Sequence, residues 1–213
     1  MAERPAIPPT LESARLTYDS PSEKDDAAMH AMLRDPDTMI FLRYMAKEWQ
    51  GGWTAEEIVE RRESRVKGIE EKRSTTYYVH DKSTGELVGS VGSNTINFDY
   101  RNAHVGIILS KKYWSGGYGT EALYRLMRML FDDLKMHKLI YETTENNIGM
   151  RKFLEQTCGV PLAFVRKDEI WCRATEKWVS LWQYEIFEDD WPRIAATLKE
   201  NLERGAAKHA SIA

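Results

Sequence analysis

Segments with strand-like and helix-like spacing of apolar residues alternate along the chain. Residues 105–109 form an almost continuously apolar run, and after a glycine-rich turn the apolar residues recur three and four positions apart. The first pattern predicts a buried strand and the second an amphipathic helix. That helix is expected to bury a stripe made of Ala122, Leu123, Leu126, Met127, Leu130 and Leu134.

The same patterns divide the rest of the chain into short strands and helices. Residues 1–13 hold three of the seven prolines, which predicts an irregular arm, and residues 193–213 are expected to form a helix that frays from residue 205. Between these ends we predict a strand at 14–18, helices at 25–34 and 55–73, strands at 75–80 and 86–93, a strand at 138–144, a helix at 147–157 and an antiparallel strand pair within 163–187.

The composition predicts a single soluble domain. A chain of 213 residues with 42% hydrophobic residues can bury a substantial core. A net charge of −3, without a run of Lys and Arg, argues against nucleic-acid binding. We expect a cytoplasmic protein, since no apolar run could span a membrane and residues 1–5 lack a signal-peptide core. Cys158 and Cys172 lack metal-ligand spacing, so we expect reduced thiols rather than a disulfide or a zinc site.

The turn after the apolar run has the composition of an anion-binding loop. It reads Ser-Gly-Gly-Tyr-Gly-Thr-Glu-Ala over residues 115–122. The first amides of a helix have no intrahelical acceptor, and glycines let the main chain approach a phosphate closely. The turn is not a P-loop, because Thr120 and Glu121 follow the last glycine. Glycines at 116, 117 and 119 do not fit the dinucleotide-binding fingerprint either.

These residues resemble the acyl-CoA motif of the GNAT N-acetyltransferase superfamily, written R/Q-x-x-G-x-G/A. Gly117 and Gly119 occupy the glycine places, and Trp114 stands where Arg or Gln is commonest. Trp followed by Gly-x-Gly-x-x-x-Glu-Ala is usual in the branch similar to the bacterial enzymes that acetylate ribosomal-protein N-termini. Here Ser115 replaces the first glycine that this branch carries after the Trp. The resemblance covers residues 14–192, which we take as the acetyltransferase domain.

The resemblance implies a GNAT-like α/β fold, with a mixed and mostly antiparallel sheet of about seven strands flanked by helices. It also implies acetyl-CoA as co-substrate and no metal. In the family, the strand before the loop splays and leaves main-chain groups free, while an Asn holds the pantetheine arm. Arg151 or Lys152, one turn beyond that Asn, could meet a CoA phosphate or could simply be solvated. The implied cofactor-binding residues are Ile108, Leu109, Trp114, Ser115, Gly116, Gly117, Tyr118, Gly119, Thr120, Asn147 and Lys152.

Acetyl transfer to an amine requires a proton acceptor, because most of the amine is protonated at neutral pH. Related enzymes often carry a Glu on the strand before the glycine loop, and His104 occupies that place in the run Ala-His-Val-Gly. An imidazole can accept a proton near neutral pH, directly or through water. The alternative is an ordinary strand histidine with no role in catalysis.

The proton donor to the departing thiolate is less evident. The Tyr place of the family aligns with Leu154 and the Ser place of the branch with Met150, and neither side chain can donate a proton. Tyr184 or Tyr141 could take this role, or the thiolate could leave unassisted. We name Tyr184 with His104 as the catalytic candidates.

The acceptor is expected between the first two helices and the final strand pair. Trp178 and Trp182 share one strand face there and are expected in the core. The other aromatic residues of this region are Tyr44, Trp49, Trp53 and Trp171, and acidic residues at the hairpin tip are Asp168, Glu169 and Glu176. An aromatic slot or an acidic tip could attract a cationic amine, although both are equally typical of a core and a solvated turn.

The sequence therefore predicts an acetyl-CoA-dependent N-acetyltransferase that transfers acetyl directly to a primary amine. The acceptor would be a peptide N-terminus or a small amine, and the protein a monomer or a homodimer. One alternative is a polyamine or drug acetyltransferase. Another is a non-catalytic acyl-CoA-binding regulatory module, which the missing Tyr and Ser would favour.

Overall fold

A single twisted sheet of eight strands organises the protein in a computed structural model that describes residues 4–210, with side chains described through residue 207. The spatial order is β1-β2-β3-β4-β5-β6-β8-β7. The pair β5–β6 is parallel, and the other neighbouring pairs are antiparallel. The strands are β1 Thr10–Glu12, β2 Leu16–Asp19, β3 Thr75–Asp81, β4 Leu87–Asn97, β5 Asn102–Leu109, β6 Lys138–Thr144, β7 Leu162–Cys172 and β8 Lys177–Phe187.

Helices cover both faces of this sheet. The five α-helices are α1 Asp26–Arg34, α2 Ala55–Glu70, α3 Tyr118–Arg128, α4 Ile148–Lys152 and α5 Trp191–Ala210. Buried residues of α1 and α2 form one cluster with Tyr78 of β3. Buried residues of α3 and α5 join a larger cluster with side chains from most strands. The mixed α/β fold and the mostly antiparallel sheet are confirmed, with eight strands rather than about seven.

The helix after the glycine loop buries the predicted stripe. All six residues of that stripe are at most 3% exposed. The helix continues beyond α3 as a π-helical turn over Met129–Asp133, and α4 is likewise extended by a π-helical turn over Phe153–Thr157. Each of these two predicted helices is therefore an α-helical stretch followed by a π-helical turn.

At both ends of the chain, the structure differs from the prediction. Residues 10–12 belong to β1, which pairs with β2, so the irregular arm that the prolines predict ends at residue 9 rather than at residue 13. At the other end, α5 begins at Trp191 and continues through Gly205 to Ala210, so fraying from residue 205 is wrong for the described part, and residues 211–213 lie outside it. Tertiary packing explains the first difference, since Leu11 is buried in the core.

The second helix starts and stops for local reasons. Thr54 and Glu57 form a capping box, in which each side chain accepts a hydrogen bond from the backbone of the other residue. The helix ends at Glu70, three residues before the predicted end. Lys72 takes a left-handed conformation with φ of 53°, and the Arg73 amide donates to the Gly68 carbonyl.

No helix within residues 4–210 combines the length and the apolar composition that a bilayer span requires.

Candidate active site

The sheet opens at its centre, where the parallel strands β5 and β6 separate. Their pairing runs from Asn102 opposite Lys138 to Val105 opposite Tyr141, and stops there. Beyond that point β5 still pairs with β4 up to Leu109, while β6 still pairs with β8 up to Thr144. The two strands therefore diverge, and the V-shaped gap between them is not bridged by hydrogen bonds from one strand to the other.

The register shows which main-chain groups face this gap. The Ser110 amide donates to the Val88 carbonyl of β4, and alternate residues of a strand point their hydrogen-bonding groups to the same side. Ile108 therefore directs its amide and carbonyl to β4, so the expectation that its main chain is free is wrong. Ile107 and Leu109 direct theirs into the gap. A glycine is needed opposite, because a Cβ on Gly89 would lie 2.1 Å from the Ile108 carbonyl oxygen.

The glycine loop presents a row of amides at the start of α3. Ser115 and Gly117 adopt left-handed φ values of 62° and 76°, and Gly117 is the N-cap of the helix. Among residues 4–210, the six consecutive amides of Ser115 to Thr120 donate to no acceptor. The helix dipole adds a partial positive charge at the same place. The arrangement therefore suits an anionic group with several oxygens, such as a diphosphate.

A buried carboxylate fixes this loop from behind. Glu121, only 3% exposed, accepts hydrogen bonds from the Ser13 hydroxyl, the Arg15 amide and Arg15 Nε, at 2.7, 2.8 and 2.7 Å. Arg15 Nη1 then donates to the Gly116 carbonyl at 2.9 Å. Because the planar guanidinium donates from Nε to Glu121 and from Nη1 to Gly116, it sets the orientation of the peptide that precedes Gly117.

A second contact holds the other side of the loop. The Tyr118 hydroxyl donates to Asp81 Oδ2 at 2.7 Å, and the Arg15 guanidinium lies 4.2 Å from the Tyr118 ring centroid. Hydrogen bonds from Ser83 and then from Tyr118 lower the pKa of Asp81 to about 2. The turn between β3 and β4 is thereby tied to the first residue of α3.

Trp114 supports the loop from the gap side. Its indole Nε1 donates to the Leu109 carbonyl at 2.9 Å, and its ring stacks on Phe41 with centroids 5.7 Å apart. Because this bond occupies the Leu109 carbonyl, the groups left to a ligand in the gap are the Leu109 amide and the main chain of Ile107. Trp114 thus connects the glycine loop to the segment that follows α1.

Two other predicted cofactor residues lie at α4. Asn147 is the N-cap of this helix, and its Oδ1 accepts a hydrogen bond from the Met150 amide at 3.2 Å. Its side-chain NH2 is the group left for a pantetheine amide. Lys152 is exposed. Arg151, its neighbour, is engaged instead, because its guanidinium lies 3.4 Å from Glu155 and 4.1 Å from the Trp182 ring centroid.

His104 lies on the face of the sheet opposite to α3. Ala103, Val105 and Leu109 belong to the core under α3, so alternation places His104 and Ile108 on the other face. Ile108 packs there against the cluster under α1 and α2. His104 is half-buried and pairs with Thr95 of β4. It lies two residues before Gly106, the point at which β5 loses its β6 partner.

Tyr184 does not share this face. It belongs to the core under α3, opposite Tyr141, and its hydroxyl donates to Glu155 Oε1 at 2.5 Å. Burial, followed by the hydrogen bond to Glu155, raises the pKa of Tyr184 to about 12. This engaged hydroxyl does not favour the proton-donor role. Tyr141 is buried, and its hydroxyl lacks a hydrogen-bond partner among the described residues.

An open groove of about 690 Å³ lies beyond the splayed strands, in the region where the sequence predicts the acceptor. It is bounded by residues 40–44, by the end of β6 and by the β7–β8 hairpin. Trp178 lines it and is 57% exposed, so its predicted place in the core is wrong, because the hairpin extends past the helices. Trp182 packs against the core as expected. The charged lining residues are Arg43, Glu145 and Lys177.

Sequence patterns missed the residues that hold the site together. Arg15 and Glu121 lie 106 positions apart, and nothing in either local pattern links them. The same is true of Asp81 and Tyr118. A Glu in the first turn of an apolar helix stripe was the one available signal, since a buried carboxylate requires a partner.

Comparison with known proteins finds the same family that the glycine-loop motif resembles. The family model described as acetyltransferase (GNAT) domain matches residues 15–159. An uncharacterized N-acetyltransferase of Bacillus subtilis, YoaA, is 22% identical over 148 residues, which cover 69% of this chain and 81% of that protein.

Two solved structures share the fold. One is the ribosomal L7/L12 alpha-N-protein acetyltransferase RimL in complex with coenzyme A, with a TM-score of 0.71, 15% identity, and coverage of 85% of this chain and 97% of that one. The other is spermidine N-acetyltransferase from Vibrio cholerae in complex with CoA and spermine. It has a TM-score of 0.70, 18% identity, and coverage of 84% of this chain and 99% of that one.

Proposed function

Because this chain belongs to the GNAT acetyltransferase family and is an acetyl-CoA-dependent N-acetyltransferase, we propose that it transfers acetyl directly to a primary amine that enters from the α1–α2 side of the sheet. Acetyl-CoA supplies the acetyl group as a thioester. The described residues contain no group of three His, Cys, Asp or Glu side chains arranged to hold a metal ion.

The row of six unpaired amides from Ser115 to Thr120 is the observation that carries this proposal. These amides would hold the diphosphate of CoA, and Asn147 would hold the pantetheine arm. The gap between β5 and β6 then gives that arm a route toward the centre of the sheet. Main-chain amides of Ile107 and Leu109 face the gap, where they can polarise a carbonyl.

His104 is the proposed proton acceptor. It lies on the α1–α2 face, beside the residue at which the strands separate, so an amine arriving from that face meets it before it meets the gap. The amine proton passes to the imidazole as the N–C bond forms and the C–S bond breaks. We assign no residue as the proton donor to the departing thiolate, since the Tyr184 hydroxyl is hydrogen-bonded to Glu155.

The acceptor groove favours a peptide or a small amine over a polyamine. A polycationic acceptor requires several carboxylates along its length. The groove lining has one carboxylate, Glu145, against two cations, Arg43 and Lys177. An open groove lined by the exposed Trp178 and the half-buried Phe41 and Tyr44 fits an extended segment with apolar character.

A panel of amines tests the proposal. Thiol release would be measured with acetyl-CoA and, in parallel, N-terminal peptides, spermidine and an aminoglycoside, together with the affinity for acetyl-CoA. We expect release with peptides or small amines and little release with spermidine. Tight binding of acetyl-CoA without release for any acceptor would instead identify a non-catalytic acyl-CoA-binding module.

A further inference from the structure

Two arginines of α2 lie one helical turn apart on the side of the helix that faces the sheet. Arg61 and Arg65 are half-buried. Ile58, one turn before Arg61, is buried. The Arg61 guanidinium lies 5.4 Å from the Trp53 ring centroid, and Arg65 Nη1 donates to Asn94 Oδ1 at 2.8 Å. The Arg61 guanidinium therefore lies beside the Trp53 ring, and the Arg65 guanidinium is held at β4.

Neither arginine has an acidic partner among the side chains of residues 4–207. By contrast, the neighbouring Arg62 forms an ion pair with Asp26 at 3.0 Å. Burial, followed by the charge of Arg65, lowers the pKa of Arg61 to about 10, and no carboxylate contributes. Like charges one turn apart repel, and a partly buried cation without a counter-ion is costly. The folded protein thus holds two neighbouring cations that no carboxylate of the described side chains neutralises.

The position of this pair relates it to the reacting centre. Asn94, which accepts from Arg65, is the bulged residue of β4 between Ser93 and Thr95, and Thr95 pairs with His104. A Cβ on Gly106 would lie 3.7 Å from Asn94 Nδ2. The arginines therefore border the part of β5 at which the strands separate, on the same face as His104.

We propose that Arg61 and Arg65 bind an anionic group on the acceptor, a carboxylate or a phosphate located close to the amine. This inference rests on the proposed acetyl transfer and narrows its substrate class to amines that carry a negative charge. Guanidinium forks match the oxygen geometry of both groups. Binding would neutralise the repelling pair and hold the amine beside His104.

Matched acceptor peptides test the proposal. Three peptides that differ only at the second residue, Asp, phosphoserine or Asn, would be compared by kcat/KM at saturating acetyl-CoA. We expect the wild type to prefer one or both anionic peptides over the Asn peptide by roughly 10- to 100-fold, the range of a hydrogen bond to a charged group. The Asp and phosphoserine arms distinguish a carboxylate from a phosphate.

Variants assign this preference to the arginine pair. Arg61→Met and Arg65→Met should reduce the preference toward unity while leaving turnover of the Asn peptide within about threefold. Arg62→Met, which breaks the partly buried pair with Asp26, should leave the preference intact. Equal turnover of the three peptides by the wild type would overturn the inference and leave the transferase assignment standing. Equal loss for all peptides in the Met variants would also overturn it, as a merely structural effect.

A second measurement applies if no peptide is acetylated, which would be a failure of the proposed function. The thermal midpoint would then be followed with inorganic phosphate, against chloride at matched ionic strength. The wild type should gain more from phosphate than the Arg61→Met/Arg65→Met double variant, whose glycine loop is unchanged. Equal gains would show that the arginines bind no anion and would overturn the inference.

Discussion

The two faces of the sheet at the gap differ in how far their polar groups are satisfied. On the α3 face, Glu121 accepts three hydrogen bonds, Arg15 holds the Gly116 carbonyl, and the amides of Ser115 to Thr120 donate to no acceptor among the described residues. On the α1–α2 face, Arg61 and Arg65 have no carboxylate partner within the described side chains, and Trp178 is largely exposed beside a wide groove. The cofactor side is thus pre-organised for one ligand, whereas we propose that the acceptor side is completed by its substrate.

The largest expected effect comes from breaking the cofactor side at its N-cap. In Gly117→Val, a β-branched residue must adopt φ of 76°, and its Cβ would lie 3.4 Å from Arg15 Nη2. The loop amides would then lose their alignment, and we expect at least about 100-fold weaker acetyl-CoA binding in a titration, since several charge-assisted hydrogen bonds are lost together.

Gly51→Val is the matched control. Gly51 has a similar φ of 86°, and its Cβ would meet nothing within 4 Å. It should show the backbone cost in its unfolding free energy without a change in acetyl-CoA affinity. Retained affinity in Gly117→Val would show that the phosphates lie elsewhere.

The acceptor side can be broken at the proposed base. His104→Ala should lower kcat by roughly 100-fold, the usual lower range for a general base, and leave acetyl-CoA affinity unchanged. The ascending limb of the pH–rate profile that belongs to the base should disappear as well. His137→Ala removes an exposed histidine at the start of β6, paired with Glu188, and should change neither quantity. A wild-type pH–rate profile in His104→Ala would remove His104 from the mechanism.

The support behind the loop gives a smaller effect on binding. Glu121→Gln keeps the shape of the side chain but removes the charge that orients Arg15. We expect acetyl-CoA affinity to fall about tenfold and the free energy of unfolding by about 2 kcal/mol, as for a hydrogen bond to a charged group. Glu203→Gln, on an exposed pair with Lys199, is the control and should change neither. A stability loss without any loss of affinity would separate this pair from cofactor binding.

The smallest effect concerns the tie between Tyr118 and Asp81. A carboxyl whose pKa is lowered from 3.8 to about 2 stabilises the folded protein above pH 3.8, and that contribution is lost as the pH falls through 2. Tyr118→Phe removes one of the hydrogen bonds that lower this pKa. The variant should therefore lose less stability than the wild type as the pH falls from 5 to 2, and its loss should level off at a higher pH, as measured by chemical unfolding. Identical acid profiles would show that the hydroxyl does not act on Asp81.

The cofactor side was predictable because its signals are local. Glycines and free helix amides stand together in residues 115–120, and the helical stripe after them follows from spacing alone. The contacts that fix the loop were not predictable, since Arg15 and Glu121 meet only through the fold. Trp178 was misplaced for a related reason: strand alternation assigns a face, but whether a helix covers that face depends on where the helices end.

The most direct test of the central claim follows the amide resonances of residues 115–120 during titration with CoA and, separately, with S-acetylpantetheine, which lacks the diphosphate. We predict large shifts of these six amides with CoA and small ones with S-acetylpantetheine. Unchanged loop resonances under saturating CoA, or equal shifts with both ligands, would contradict a diphosphate held by the glycine loop.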